Sequence, residues 1–568
     1  MRFFATLILG ALVSTSARGA DDPRLVVLKA VQTELARSQA RLQLPGEDKP
    51  YFIRYLVRDY DEREIGARFG AIVDDSSQRA RHASVEVRVG NYKFDNTANT
   101  SDNAYDFDDF QRYRPPVTAP LDDDVEVLRA TLWLQTDAEY KSALSALHKK
   151  RGKRVTNVVE DENLPSFSRT TKQIHIDAPV PIAFEMEVWR EKLRRLSALF
   201  KRHPTIFDSS IKVSLSHQTR TLATSEGTAL INDRIVFGLH LNAVALGENG
   251  LLVNHGKSVY GATEQDLPDE KTLTEMVALV VREVEALRKA PMLDPYNGPA
   301  ILLPEAAGVF FHEALGHRLE GERQNSNHEG ATFKGQIGKP VLPTFISVID
   351  DPSLRSVGKI SLNGYYRYDD EGVVSTPVKL VENGILRSYL MSRTPVKGVV
   401  QSNGHGRSES TSDPIGRMAN TIVRSTKQVP YATLKQMLLE EIKRQKKDFG
   451  LIISDITGGQ TNTSSYDFQA FKGVPRIVYR VDAVTGKETM VKGVEFVGTP
   501  IGSLNRIAAT SDEIGVFNGF CGAESGYIPV STVAPAILIS EIELQRTGRE
   551  LERGPVLPPP WAEQPKKK

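Results

Sequence analysis

Two histidines stand five positions apart around a glutamate in Phe310-Phe311-His312-Glu313-Ala314-Leu315-Gly316-His317, and a single cysteine, Cys521, lies far downstream. Imidazole, carboxylate and thiolate are the groups that bind zinc and move protons beside it. In the familiar metallopeptidase pattern the histidines are four apart, about 400° around a helix, and share a face. Five residues turn about 500°, a net rotation of about 140° that sends the rings to different sides of a regular helix. Both reach one ion only if the helix widens by a π-type bulge, or ends at Gly316 and turns His317 back. Taken alone, the segment equally describes two histidines in separate environments.

Cys521 poses a similar choice. Most unpaired cysteines are small buried hydrophobes, whereas a zinc-bound thiolate is useful and protected from oxidation. As the only cysteine it forms no intrachain disulfide. Other donors are Glu320, Glu322, His328 and His405, of which Glu320 is the strongest rival, because two histidines and one carboxylate also make a hydrolytic zinc site.

The elements that must position these groups follow from periodicity. Apolar residues at helical spacing predict helices over 24–42, 122–151, 180–202, 273–289, 304–318 and 431–447. Strands are predicted in Phe52 to Val57, in the alternating Ser84 to Val89 and across 211–260. Residues 95–120 read as a long loop or disordered insert. Asn383-Gly384 between two apolar runs signals a hairpin. The class is α+β: a mixed α/β N-terminal domain over 21–295, then a largely antiparallel β domain over 296–552 carrying one metal-binding helix. A Pro- and Lys-rich tail over 553–568 is expected to be disordered. The 568 residues allow two to four domains.

Lys and Arg number 72 against 71 Asp and Glu, so no net field favours a nucleic-acid partner. Residues 1–20 place Arg2 before an apolar run from Phe3 to Val13 and end in small residues, as a secretory signal does. The run falls short of the roughly 20 residues that span a bilayer, so no stable membrane insertion is expected. A periplasmic or extracellular location follows, with a retained anchor as the alternative.

Beyond the histidines, a set of motifs recurs in order. Leu319-Glu320-Gly321 is followed by Asp369-Asp370-Glu371-Gly372, Leu380 to Leu386, Asn403-Gly404-His405-Gly406-Arg407, Gly416 to Thr421, Gly458-Gly459-Gln460-Thr461 and Gly519-Phe520-Cys521-Gly522. Over residues 300–545 this series resembles the TldD/PmbA metalloprotease family, in its catalytic TldD-like branch. The resemblance implies one zinc per chain on His312, His317 and Cys521, an open fourth position for water, and Glu313 as general base. It also implies hydrolysis of unfolded or fragmented polypeptides inside a hollow dimer, either a homodimer or a heterodimer with a PmbA-like subunit. A non-catalytic binding or assembly subunit, or a zinc hydrolase of non-peptide amides, are the alternatives. Arg407 and Arg417 are candidates to hold a substrate carboxylate, each weighed against a surface salt bridge. Gly458 and Gly459 would let a peptide pair with a sheet edge, weighed against a glycine turn. Asp369, Asp370 and Glu371 read as a solvated turn. The family pattern continues after Cys521-Gly522 with a basic residue, where this chain has Ala523-Glu524.

Overall fold

A computed structural model describes residues 22–97, 117–156, 163–325, 332–461, 471–496, 500–547, 555 and 557–562. Residues 1–21, on which the expected secretory signal falls, and most of the 95–120 segment lie outside these residues. No helix among the described residues is long and apolar enough to cross a membrane.

Five long strands form the body of an eight-stranded sheet: β1 (Pro50–Arg68), β2 (Ala71–Asn91), β3 (Ile206–Thr224), β4 (Ala229–Leu246) and β5 (Leu252–Gly261). They lie in the order β2-β1-β3-β4-β5, each antiparallel to its neighbour. Alternation decides which face is buried: Ala83, Val85, Val87 and Val89 of β2 point into a core, and the residues between them stay half-exposed. Helices α1 (Arg24–Arg41) and α2 (Val125–Thr156) cover one part of that face, and α3 (Met186–Ala198) and α4 (Glu270–Lys289) the rest. α4 shows the local logic. Asp269 caps its start by accepting from the Thr272 amide at 2.7 Å, Leu273, Val277, Val280, Val284 and Leu287 line its buried stripe, and Pro291 follows its end. The helix predicted from residue 180 begins only at Met186, because Pro179 and Pro181 hold the preceding chain out of helix.

The second half builds a twelve-stranded sheet around β6 (Tyr296–Leu302), β7 (Ile346–Asp350), β8 (Val378–Glu382), β9 (Ile385–Leu386), β10 (Asn420–Ser425), β11 (Phe449–Thr461), β12 (Phe471–Asp482), β13 (Ile507–Ala523) and β14 (Gly526–Arg546). Most pairings are antiparallel; β10 with β14 and β6 with β11 are parallel. The molecule is therefore α+β. The β8–β9 hairpin turns at Asn383 and Gly384 with φ of 50° and 78°, as the Asn-Gly pair predicts. Helix α5 (Pro304–Ala314) packs on β14, β11 and β13, and α6 (Tyr431–Arg444) lies on β6.

Two expectations are corrected. Asp369, Asp370 and Glu371 are not solvated: all three are buried where the halves meet. Asp370 accepts from Arg220 at 2.5 Å and pairs with Arg58 at 3.1 Å, while Arg54 donates to its carbonyl at 2.7 Å. The Arg393 amide donates to Glu371 at 2.7 Å. Guanidiniums 150 or more positions away, invisible to local reading, take the place of water. Part of the tail also departs from expectation: among its described residues, Pro560–Ala562 form a 3₁₀ turn and Trp561 packs on Phe69 with ring centroids 4.5 Å apart.

Candidate metal centre

Pro304 opens α5 at its first turn, and apolar contacts bury the helix from Ala306 to Ala314. The α-helix stops at Ala314; Leu315 has φ of −115°, and Gly316–Leu319 form a 3₁₀ turn. This break resolves the five-residue spacing. A side chain at Gly316 would place its Cβ 1.9 Å from Met418 Sδ, so glycine lets the 416–419 segment press against the turn. Arg318 closes the helix end by donating to the Glu313 and Ala314 carbonyls at 2.9 and 3.0 Å. Burial lowers the Arg318 guanidinium to about 10, against the opposing pull of Glu313.

Beyond the break the histidine rings lie 5.1 Å apart and nearly perpendicular. Cys521, near the end of β13, completes the group: its Sγ is 3.2 Å from His312 Nε2 and 3.4 Å from His317 Nε2. Three donor atoms from His312, His317 and Cys521 lie within 4.8 Å of one another, and all three residues are buried. Tetrahedral zinc with ordinary Zn–N and Zn–S bonds would hold nitrogen and sulfur about 3.5 Å apart. The donor set and its spacing fit that ion.

The charges agree. Burial alone would push the Cys521 thiol up, but His317, His312 and Arg417 outweigh it and hold the thiol well below its usual range. Burial would lower His317, yet Cys521 and Glu320 raise it well above an ordinary imidazole. A cation at this point would replace that proton. Glu313 is buried beside the group, with Oε2 3.9 Å from His317 Nε2.

Glu320 sits elsewhere than at the third position. Its Oε1 is 3.0 Å from His317 Nδ1, on the opposite edge of the ring from Cys521, and its Oε2 accepts from Arg323 at 2.6 Å. That contact makes Nδ1 a protonated nitrogen and leaves Nε2, the atom facing the Cys521 sulfur, as the one a metal would take. Burial opposes the Glu320 charge, but Arg323, His317 and Arg417 hold its carboxyl well below the usual range. Arg323 continues to Glu524 with two contacts of 2.9 Å, so the carboxylate that departs from the family pattern joins this support. His405 is held by Asp350 and Asn403, and His328 lies outside the described residues.

Glu322 also lies outside the donor group, accepting from Ser392 and from the Gly416 amide at 2.7 Å. Burial pushes it up to about 6. A raised carboxyl stabilises the fold fully below the ordinary carboxylate range and loses that contribution as pH rises through about 6, a change of about 2 kcal/mol. Glu322→Gln should therefore flatten the difference in melting temperature between pH 4.5 and pH 6.5; an unchanged difference would locate its source elsewhere.

Neither Arg407 nor Arg417 lies on the surface, which corrects the salt-bridge expectation. Arg407 donates to the Met418 and Pro529 carbonyls. Arg417 is 0% exposed and donates to the Cys521 carbonyl at 2.7 Å and to its Sγ at 3.1 Å, with Nε 3.3 Å from Glu320. Sequence reasoning missed this support of the thiolate, although Arg417 lies inside a recurring motif. Gly458 and Gly459 fall within β11 beside a register shift, not in a turn. β6 borders β11 only at Leu451 to Ile453, so the glycines have no strand on that side among the described residues.

A buried His₂Cys group with a carboxylate beside it, carried on a broken helix over a mixed sheet, is a donor arrangement of the kind metal-dependent hydrolases use. Residues 295–546 match the family model of the PmbA/TldA metallopeptidase C-terminal domain. A metalloprotease of Methanocaldococcus jannaschii is 30% identical over 326 residues, which is 56% of this chain and 66% of that protein. A zinc metalloprotease TldD homologue of Saccharolobus solfataricus is 26% identical over 346 residues, 60% of this chain and 72% of its own. The fold resembles TldE from Thermococcus kodakarensis at a TM-score of 0.60 and 14% identity, covering 91% of this chain and 100% of that one. The chain belongs to the TldD/PmbA family.

Proposed function

We propose that this chain is a zinc-dependent peptidase that hydrolyses peptide bonds in unfolded or fragmented polypeptides. One observation carries the reading: His312 and His317 converge with Cys521, which lies 204 positions beyond His317, and Glu313 stands beside them and outside the donor group. Zinc held there supplies a Lewis acid that lowers the pKa of water and polarises a carbonyl. Glu313 takes the proton from the attacking water and returns it to the departing amine. Glu320 holds His317 in one tautomer, and Arg417 neutralises the thiolate and fixes its position. The glycine stretch of β11 offers backbone groups with which an extended peptide can pair.

The family resemblance and the complete donor set support an active TldD-like subunit, as a homodimer or beside a PmbA-like chain. Export belongs to the same reading and rests on residues 1–20 alone. Purified chain should carry one zinc, lose casein cleavage on dialysis against a chelator and regain it with zinc. Cleavage that survives full metal removal would defeat the reading, and activity on small amides but not on peptides would redirect it.

A further inference from the structure

The helix-free face of the N-terminal sheet is unusually polar for a surface turned toward a second domain. Register places Tyr60 of β1 opposite Gln218 of β3, and Gln218 opposite Arg234 of β4, in one row across the sheet. The neighbouring row on one side contains Arg58 and Arg220, which Asp370 neutralises. Six residues along β4 from Arg234, on the same face, His240 meets Tyr260 with ring centroids 5.3 Å apart, and Tyr260 meets Phe520 at 5.9 Å. Phe520 adjoins Cys521 on β13. The Ser410 amide donates to the Tyr60 hydroxyl at 3.2 Å. This face is thus tied to the C-terminal half on both sides of Arg234, and one tie leads to the strand that carries the thiolate.

Between those ties Arg234 is half-buried, and among the described residues its guanidinium makes no hydrogen bond or ion pair, although the charges of Asp370 and Tyr60 act on it from a distance. Glu62, in the next row, accepts from Ser216 at 2.8 Å instead. Burial, then the charges of Arg407 and Arg220, lower Arg234 to about 10, although Asp370 and Tyr60 pull the other way. A planar fork of donors left without an acceptor between two domains suits a carboxylate, which it can grip with two parallel hydrogen bonds.

We infer that Arg234 binds a carboxylate of the peptide substrate, supplied either by the peptide's C-terminus or by an acidic side chain. The inference rests on the peptidase reading but is tested separately from it. Fluorescent peptides with a free C-terminus or a C-terminal amide, and with interior Glu or Gln, are titrated onto zinc-loaded Glu313→Gln protein with and without Arg234→Gln. Arg234→Gln should weaken binding of the carboxylate peptides about 10- to 100-fold and leave the neutral peptide unchanged. Arg234→Lys should restore part of the loss, and melting curves establish that both variants fold. Sensitivity to the amide alone assigns the C-terminus; sensitivity to Gln alone assigns the side chain. In the chain with Glu313 intact, Arg234→Gln should raise KM for carboxylate peptides with kcat within about twofold, the signature of lost binding that is uniform between ground and transition states. Equal weakening for acid and neutral peptides, no weakening, or no binding of any carboxylate peptide overturns the inference. Failure of the intact chain to cleave any of these peptides defeats the peptidase reading instead.

Discussion

Glu313→Gln is expected to reduce peptide hydrolysis by about 10²- to 10⁴-fold while zinc content stays at the level of the unsubstituted chain. Glutamine keeps the volume and a hydrogen-bonding oxygen but cannot accept the proton, so the substitution removes one chemical step with little change in shape. The site permits that separation. Glu313 lies in α5 beside the donor atoms, its carbonyl held by Arg318, and the residues that converge on the metal position are its neighbours His312 and His317 with Cys521. Steady-state cleavage of casein and elemental analysis on the same samples check the result. Activity retained above about a tenth would mean that another group accepts the proton, and loss of zinc would move Glu313 into the donor set.

The second large effect concerns the third donor. Cys521→Ser should abolish stoichiometric zinc, because a serine hydroxyl stays protonated where the thiol is already charged, and because Arg417 would face a neutral atom in place of a thiolate. Glu320→Gln should keep zinc at saturation but weaken its affinity about 10- to 100-fold, since it removes the charge that orients His317 and leaves the ring in place. Competition with a chromogenic chelator measures both. The opposite order, with zinc kept in Cys521→Ser and lost in Glu320→Gln, would make Glu320 the ligand. The holo-protein should also melt at a higher temperature than the metal-free form, and Cys521→Ser should lose that gap.

Much of the secondary structure was legible because its causes are local. The α4 stripe, the Asp269 cap and the Asn383-Gly384 hairpin each depend on residues within a few positions of one another. Legibility failed where distant chain supplies the partner. Asp370 resembles a solvated turn residue until Arg58 and Arg220 reach it from another sheet. Arg417 looks like an ordinary surface cation until β13 brings the Cys521 sulfur to it.

Residue types alone establish which chemistry is available: two imidazoles, one carboxylate and one thiol, with a spacing that no regular helix can bring to a single point. For both rings to reach one ion, that spacing also demands a bulge or a break near Gly316, since rotation per residue is a property of the backbone. How that demand is met is a matter of long-range packing. α5 ends at Ala314 because the 416–419 segment packs against a residue without a side chain, and the 3₁₀ turn then carries His317 toward a sulfur 204 positions away. The same packing decided that Glu320 supports the ring from behind. Donor types are written in single residues, but their convergence is a property of the packed chain.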